Sequence, residues 1–379
     1  MHVLVVFGTR PEAIKMLPVI LELRARGGVR VTVCSTGQHR DMLGRTLEIF
    51  GCPAPDLDLA IMTRDQGLAD VTARVLTGMV AVLRDKRPDI VLVHGDTTTA
   101  MAAAMAAFYE RCPIGHVEAG LRSHDLARPW PEEFNRVAID AIAALRFAPT
   151  QPAAENLARE YNKGGHVLVT GNTGIDALLR MNRQLAQGGH VARDAASRFG
   201  FLSAQKKLVL VTAHRRESFG DGFAGICDGI ARIAQHGEVE VVYPVHLNPN
   251  VQAAVRQRLS GLAHVHLIEP VDYAEMVWLM RRAHLLLTDS GGIQEEGLAL
   301  GKPVLVMREV TERPEALATG VVRLVGTNPG IIAREVLRLV DDAAAYREAA
   351  RAMFPYGEGR AAPQIVDALL AWHSGHQPA

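Results

Sequence analysis

The sequence predicts an α/β protein of two Rossmann-like domains, each built on a doubly wound parallel sheet. Short runs rich in Val, Ile and Leu alternate with segments of helical length along the 379 residues. Such continuous apolar runs are typical of parallel strands that are buried on both faces. Because a single hydrophobic core stops growing at roughly 250 to 300 residues, a chain of this length is expected to form two domains.

The strand-like runs form two series. The first comprises VLVVF, VTVCS, DIVLVH, PIGHVE, LRFAP and HVLVT. The second begins at about residue 205 and comprises KLVLVTA, VEVVYPV, HVHLIE, HLLLTDS, PVLVM and VVRLV. Since open α/β sheets bind ligands beyond the carboxyl ends of their strands, we expect the active site in the cleft between the two domains.

The domain boundary is predicted near residue 170, where TGNTGIDALL follows the last run of the first series. We assign 1–169 to the N-terminal domain and 170–361 to the C-terminal domain. A final helix at about 362–379 is expected to pack back on the N-terminal domain. The polar stretch 184–207 is either a linker or a surface excursion.

Charge and cysteine usage exclude several classes of partner. Lys plus Arg and Asp plus Glu are balanced at 41 each, so no long-range field gathers nucleic acid or an anionic membrane. The apolar runs 3–7 and 100–108 are too short for a signal-peptide core and a membrane span, which needs about 20 residues. The cysteines are far apart and indicate buried thiols in a reducing cytoplasm, not a disulfide or zinc site: Cys34, Cys52, Cys112 and Cys227.

The first strand leads into a turn that has the features of an anion site. Gly8 begins the turn, Pro11 suits the first turn of a helix, and Arg10 and Lys15 bring two cations to that helix end. An ordinary strand-to-helix turn with a solvated Arg10 explains the same pattern.

A second and stronger phosphate motif follows HLLLTD. Ser290, Gly291 and Gly292 lead into a helix, and two glycines allow backbone amides to approach a diphosphate closely. Glu296, one turn into that helix, is placed to accept hydrogen bonds from ribose hydroxyls. Arg313 precedes another helix that begins with proline and is either an anion ligand or a surface cation.

The candidate acids and bases also follow strands. Asp96 comes after DIVLVH, Glu118 after PIGHV, and Glu132 stands before a helix. Carboxylates in a closing crevice can transfer protons near neutral pH, although Asp96 also suits a helix cap and Glu132 a first helical turn. His214 follows the first strand of the second series and is expected to hold a phosphate or assist a leaving group.

Taken together, the motifs resemble the non-hydrolysing UDP-N-acetylglucosamine (UDP-GlcNAc) 2-epimerases from residue 1 to about 370. The segments that carry the resemblance are FGTRPEAIKMLPVI, TGQHRDML, VLVHGDTTTA, GHVEAGLRS, PWPEEFNRVAID, VTGNTGIDAL, TAHRRESFG, YPVHLNPNV, TDSGGIQEE and GKPVLVMREVTERPEAL. The resemblance implies a glycosyltransferase-B-like fold, a homodimer, and interconversion of UDP-GlcNAc and UDP-ManNAc without NAD, metal or any other cofactor. The product of such enzymes feeds bacterial surface polysaccharides.

The resemblance also implies roles for individual residues. The nucleotide-contacting positions of the family fall on Arg10, Lys15, His214, Ser290, Gly291, Gly292, Glu296 and Arg313, and its acid/base candidates on Asp96, Glu118 and Glu132. The implied mechanism eliminates UDP to give 2-acetamidoglucal and then adds UDP back. Which carboxylate acts on which epimer is left open.

The sequence departs from the family pattern at several positions. Val271 and Met276 stand where relatives often carry Gln and Phe near the uracil. Asp41, Arg45 and Asp65 replace residues that accompany activation by UDP-GlcNAc in bacterial relatives. We therefore predict that substrate activation is altered or absent.

Four alternatives remain open from the sequence. The substrate can be a modified UDP-2-acetamido sugar, such as a 2,3-diacetamido uronic acid, because the motifs recognise UDP better than sugar substituents. A glycosyltransferase of the same architecture and a non-catalytic UDP-sugar sensor are disfavoured by the set of carboxylates. A hydrolysing epimerase would release free ManNAc, and no appended sugar-kinase domain fits into this length.

Overall fold

The computed structural model describes residues 1–37, 40–63, 66–160, 164–215 and 219–376. The chain divides into two compact units. The first unit comprises Met1–Ala177 and Tyr356–Ala379, and the second comprises Leu178–Pro355. The predicted boundary near residue 170 lies just before the helix Thr173–Ala186, which crosses from the first unit into the second.

A parallel sheet forms the centre of the first unit. Its strands in the described residues are His2–Phe7 (β1), Arg30–Ser35 (β2), Leu57–Asp58 (β3), Ile90–His94 (β4), Ile114–Val117 (β5), Leu145–Ala148 (β6) and His166–Val169 (β7). Their order is β3-β2-β1-β4-β5-β6-β7, so the chain changes direction of winding between β1 and β4. Ligand crevices of open α/β sheets lie at this kind of switch point.

Helices cover both faces of this sheet. They are Arg10–Ala25 (α1), Arg40–Ile49 (α2), Leu68–Lys86 (α3), Thr98–Tyr109 (α4), Glu132–Ile142 (α5), Gln151–Arg159 (α6) and the crossing helix Thr173–Ala186 (α7). The alanines of α4 are buried among the side chains of α3 and β4, as the sequence predicts for this apolar run. Among the described residues, no helix is both long and apolar enough to cross a membrane.

The second unit repeats the plan with a parallel sheet of order β10-β9-β8-β11-β12-β13. These strands are Lys207–Thr212 (β8), Val239–Pro244 (β9), Val265–Ile268 (β10), Leu285–Thr288 (β11), Val304–Val306 (β12) and Val322–Leu324 (β13). The helices are His190–Arg198 (α8), Asp221–Ala234 (α9), Pro249–Leu259 (α10), Tyr273–Arg282 (α11), Gly291–Ala299 (α12), Pro314–Ala318 (α13), Pro329–Asp341 (α14) and Ala343–Ala349 (α15). Its switch point lies between β8 and β11.

The last helix, Ala361–Gly375 (α16), returns to the first unit and packs against α1. Asp176 fixes its start, because the carboxylate of this residue accepts hydrogen bonds from the backbone amides of Ala361 and Ala362. The predicted strand runs all form strands, and the short β3 is an addition that the sequence did not indicate. A strand of only two residues is too short to show the hydrophobic periodicity from which strands are predicted.

Candidate active site

The turn between β1 and α1 is organised by a buried carboxylate. Glu12 accepts hydrogen bonds from the amides of Gly8 and Thr9 at 3.2 and 2.7 Å, and Thr9 caps α1 in return. The other oxygen of Glu12 accepts from the hydroxyl of Thr97, which caps α4. Glu12 therefore links the turn after β1 to the turn after β4. It also takes up the amides of Gly8 and Thr9, which the sequence pattern assigned to a candidate anion site.

Glu118 follows β5 and lies between two basic side chains. Its Oε2 accepts a hydrogen bond from Nζ of Lys15 and lies 3.3 Å from Nε2 of His94. Burial by itself would raise the pKa of the Glu118 carboxyl, but the charges of Lys15 and His94 outweigh it and hold this pKa well below its ordinary value. The residue is thus a buried carboxylate, and the φ of 66° places its backbone in the left-handed region.

Asp96 lies on the neighbouring turn and contacts α5. Its Oδ2 is 2.6 Å from Nη2 of Arg136, and its carbonyl accepts a hydrogen bond from Asn135. Asp96 is not the cap of α4, since Thr97 fills that position. Glu132 is the first residue of α5, so the helix that holds Asp96 also presents Glu132.

A buried ionic network supports the turns that carry Asp96 and Glu118. The imidazole of His116 lies 2.6 Å from Oδ1 of Asp140 and 2.8 Å from the carbonyl of Gly95. Both partners offer acceptor oxygens, so His116 ties Asp140 to the turn at Gly95. Asp140 also accepts from Gly120 and Arg122. Burial would raise the pKa of Asp140, but His116 and Arg122 lower it.

The N-terminus of α12 in the second unit presents the paired glycines. Ser290 precedes the helix, and its side chain forms no cap within the described structure. The first amides of a helix have no intrahelical acceptors, so those of Gly291 and Gly292 can face an anion. Glu296 accepts a hydrogen bond from the Tyr273 hydroxyl at 3.0 Å, and burial raises the pKa of that phenol well above its ordinary value.

His214 follows β8 and lies over a buried aspartate. Oδ2 of Asp289 accepts from the amides of His214 and Arg215 at 2.6 and 2.7 Å, and Oδ1 is 3.4 Å from Nδ1 of His214. The rings of His214 and His246 stack at 5.3 Å. Burial lowers the pKa of His214, and His246 and Arg215 lower it further against the opposing charge of Asp289. A neutral imidazole can donate to a phosphate oxygen and does not repel the neighbouring arginine.

Arginines surround a carboxylate close to α12. Glu312 lies 3.1 Å from Arg215 and 2.6 Å from Arg308, and Arg313 pairs with Glu295 of α12. A Cβ on Gly291 would lie 3.2 Å from Oε1 of Glu312, which places this carboxylate against the helix N-terminus. Burial would raise the pKa of Glu312, but its backbone hydrogen bond and the arginines lower it to about 2.

A known protein family matches most of this chain. The family model described as UDP-N-acetylglucosamine 2-epimerase matches residues 21–370. A UDP-N-acetylglucosamine 2-epimerase of Salmonella typhimurium is 51% identical over 98% of this chain and 99% of its own. The chain belongs to the UDP-N-acetylglucosamine 2-epimerase family.

Solved structures agree with this family assignment. The UDP-GlcNAc 2-epimerase from Neisseria meningitidis, bound to UDP-GlcNAc, has a TM-score of 0.92 and 46% identity over 98% of this chain and all of its own. A glycosyltransferase from Streptomyces nogalater, 17% identical, has a TM-score of 0.58 over 97% of this chain and 99% of its own, a likeness of fold alone. The predicted family and the two-sheet, glycosyltransferase-B-like class are thus confirmed for this epimerase-family chain.

Several residues of this epimerase-family site were missed by sequence reasoning. The capping box T-x-x-E at 9–12 is a readable signal for Glu12. His94, Arg136, Asp140 and Glu312 carry no local signal, because their partners are distant in the chain.

The predicted loss of substrate activation stays a prediction. Asp65 lies outside the described residues, as does the side chain of Asp41. Arg45 lies in α2 and is exposed.

Proposed function

We propose that this chain is a non-hydrolysing UDP-GlcNAc 2-epimerase, an isomerase that interconverts UDP-GlcNAc and UDP-ManNAc. The observation that carries the proposal is the pair of carboxylates, Asp96 and Glu118, which follow the neighbouring strands β4 and β5 beside the switch point of the first sheet. Epimerisation needs proton transfer at both faces of one carbon, and two carboxylates with separate cationic partners can provide it. Family membership supports the same reaction.

We propose elimination and re-addition as the chemical course. The C2 proton of the sugar has no adjacent carbonyl, so deprotonation alone would give an unstabilised carbanion. Removal of this proton by a carboxylate forms the C1–C2 double bond, while the C1–O bond breaks and UDP leaves with the electron pair. The 2-acetamidoglucal is then protonated on the other face of C2, and a UDP oxygen adds to C1.

In our proposal, three carboxylates carry out the proton transfers. Asp96 and Glu118 are essential, and Glu132 at the start of α5 shares in proton transfer. Glu118 is suited to accept a proton because Lys15 and His94 keep it ionised. It becomes an effective acid only when Lys15 engages another anion, and the diphosphate is such an anion.

We propose that UDP binds through the helix N-terminus of α12 and through basic side chains. Ser290, Gly291 and Gly292 face the diphosphate, and Glu296 accepts hydrogen bonds from the ribose. Arg10, Lys15, His214 and Arg313 complement the charge that grows on the leaving group.

The deciding experiment is proton NMR of the purified protein with UDP-GlcNAc in deuterated buffer, without added NAD or metal. UDP-ManNAc carrying deuterium at C2 would establish epimerisation through proton exchange. Conversion of a modified UDP-2-acetamido sugar alone would identify the alternative substrate class. No conversion of any of these by a protein that binds UDP would contradict the proposal.

Glu312 is expected to compete with the diphosphate. Its carboxylate lies against the first residue of α12, so an entering diphosphate brings like charge beside it. We expect Glu312→Gln to lower the Kd for UDP roughly two- to fivefold, the usual worth of one charge at a helix N-terminus. Calorimetric titration measures the change, with exposed Glu269→Gln as the matched control. Weaker binding of UDP by Glu312→Gln would contradict this expectation. It would mean that Glu312 instead holds Arg215 and Arg308 in position to bind the diphosphate.

We propose that the protein acts as a homodimer. Support comes from the exposed rings of Phe108 and Tyr109 at the end of α4, beside a hollow lined by Ile142 and Trp372. Phe108→Glu is expected to shift the sedimenting species from dimer to monomer at micromolar concentration. Leu262→Glu, in the second unit, serves as the control. A wild-type protein that sediments as a monomer contradicts the proposal.

We place the reaction in the cytoplasm and its product in bacterial surface polysaccharide synthesis. Within the described ranges, the cysteines form no disulfide with one another, as is usual in a reducing compartment. The partner in this proposal is the UDP-sugar itself.

A further inference from the structure

His94 is a buried histidine whose ring nitrogens are unsatisfied. It is the last residue of β4, and 5% of its side chain is exposed. Within the described part of the chain, neither Nδ1 nor Nε2 completes a hydrogen bond. Leaving a buried polar group unsatisfied costs about 1–3 kcal/mol, so packing alone does not account for a histidine at this position.

Other buried histidines of the first unit are satisfied. Nε2 of His2 lies 2.9 Å from the hydroxyl of Thr32, and both nitrogens of His116 have partners. His2 and His116 therefore have structural roles that their contacts explain.

The neighbour of His94 is the carboxylate of Glu118. Nε2 of His94 and Nζ of Lys15 both lie against the same oxygen, Oε2 of Glu118. The other charged groups of this region have partners of their own, since Asp96 pairs with Arg136 and His116 with Asp140. Glu118 is thus held from α1 by a lysine and from β4 by the imidazole.

We propose that His94 is a positioning residue that keeps the Glu118 carboxylate in place once Lys15 engages the diphosphate of the substrate. At 3.3 Å from Oε2 of Glu118, Nε2 of His94 is already within reach, so a small reorientation of the ring lets it donate a hydrogen bond. When Lys15 turns toward the diphosphate, its hydrogen bond to Glu118 weakens. A second donor to Glu118 is therefore needed during turnover. This inference rests on the proposed epimerase function.

The test compares two isosteric replacements in the full chain. The amide nitrogen of glutamine reaches the position of Nε2, whereas that of asparagine reaches only the position of Nδ1. We expect His94→Asn to lower kcat at least about tenfold, the rate equivalent of one hydrogen bond to a charged group, with the Kd for UDP unchanged. His94→Gln should recover most of this loss.

The pH profile separates positioning from structural support. Lys15 and His94 both lower the pKa of Glu118 against the opposing effect of burial. Removing His94 therefore raises the pKa of Glu118, and the acid limb of kcat/KM should move to higher pH in His94→Asn. His2→Gln is the matched control, because it alters a buried histidine of the same unit at the opposite end of a strand. It should leave the limb and kcat unchanged.

An unchanged kcat and acid limb in folded His94→Asn would overturn the inference. The inference would also be overturned if His94→Gln and His94→Asn lowered kcat equally and in proportion to their loss of thermal stability. If the wild type does not epimerise UDP-GlcNAc, the contact is still testable by NMR of protein with ¹⁵N-labelled histidine. The ring signals of His94, assigned by their loss in His94→Gln, should move in Glu118→Gln, and unmoved signals would overturn the pairing itself.

Discussion

Glu118→Gln is expected to lower kcat by roughly 10²–10⁴-fold, the usual contribution of one general acid or base. The amide keeps the size of the side chain and loses the ability to accept a proton. Because the variant removes the negative charge of Glu118 beside Lys15, binding of UDP should be unchanged or tighter. Steady-state kinetics with UDP-GlcNAc, together with calorimetric titration of UDP, measure the two effects separately.

Asp96→Asn should give a loss of similar size, since both carboxylates are essential in the proposed mechanism. Exposed Glu155→Gln on α6 is the control and should behave as the wild type. Near-normal turnover by folded Asp96→Asn and Glu118→Gln variants would exclude these residues as the acid and base.

Asp140→Asn is expected to destabilise the first unit by about 3–5 kcal/mol. The change leaves the buried imidazole of His116 and the buried guanidinium of Arg122 without the carboxylate that they share. Chemical denaturation followed by circular dichroism measures the effect. Asp85→Asn, on the exposed face of α3, is the control and should change stability little.

The destabilisation should depend on pH. The pKa of Asp140 in the folded protein is lower than its ordinary value of 3.8, so its charge contributes stability above that value. This contribution is lost as the pH falls through the folded pKa. The difference between wild type and Asp140→Asn should therefore be full at pH 7 and shrink below about pH 4. A constant difference between pH 7 and pH 3 would show that lost packing, not charge, is responsible.

Strand-sized apolar runs and the residues after them could be read from the sequence because both are local properties. Each predicted run forms a strand. Arg10, Asp96, His214 and Ser290 follow strands that end at a switch point, and Glu118 follows the adjacent strand β5. The turn chemistry of Ser290 and the two glycines was also readable, since a helix N-terminus is defined by adjacent residues.

Partners that are distant in the chain could not be read in this way. Lys15 and Glu118 are 103 positions apart, and Arg136 meets Asp96 from 40 positions away. The pKa of a carboxyl group depends on the burial and the charges around it, and both are set by which elements pack together.

The sequence by itself determined the two parallel sheets, the order of the phosphate motifs and the set of candidate carboxylates. Only the tertiary structure decided that Glu12 fills the amides of the first turn, that Glu118 is ionised between Lys15 and His94, and that Glu312 lies against α12. The physical reason is that hydrophobic periodicity and turn chemistry act between near neighbours, whereas ion pairs and desolvation act between groups that only folding brings together.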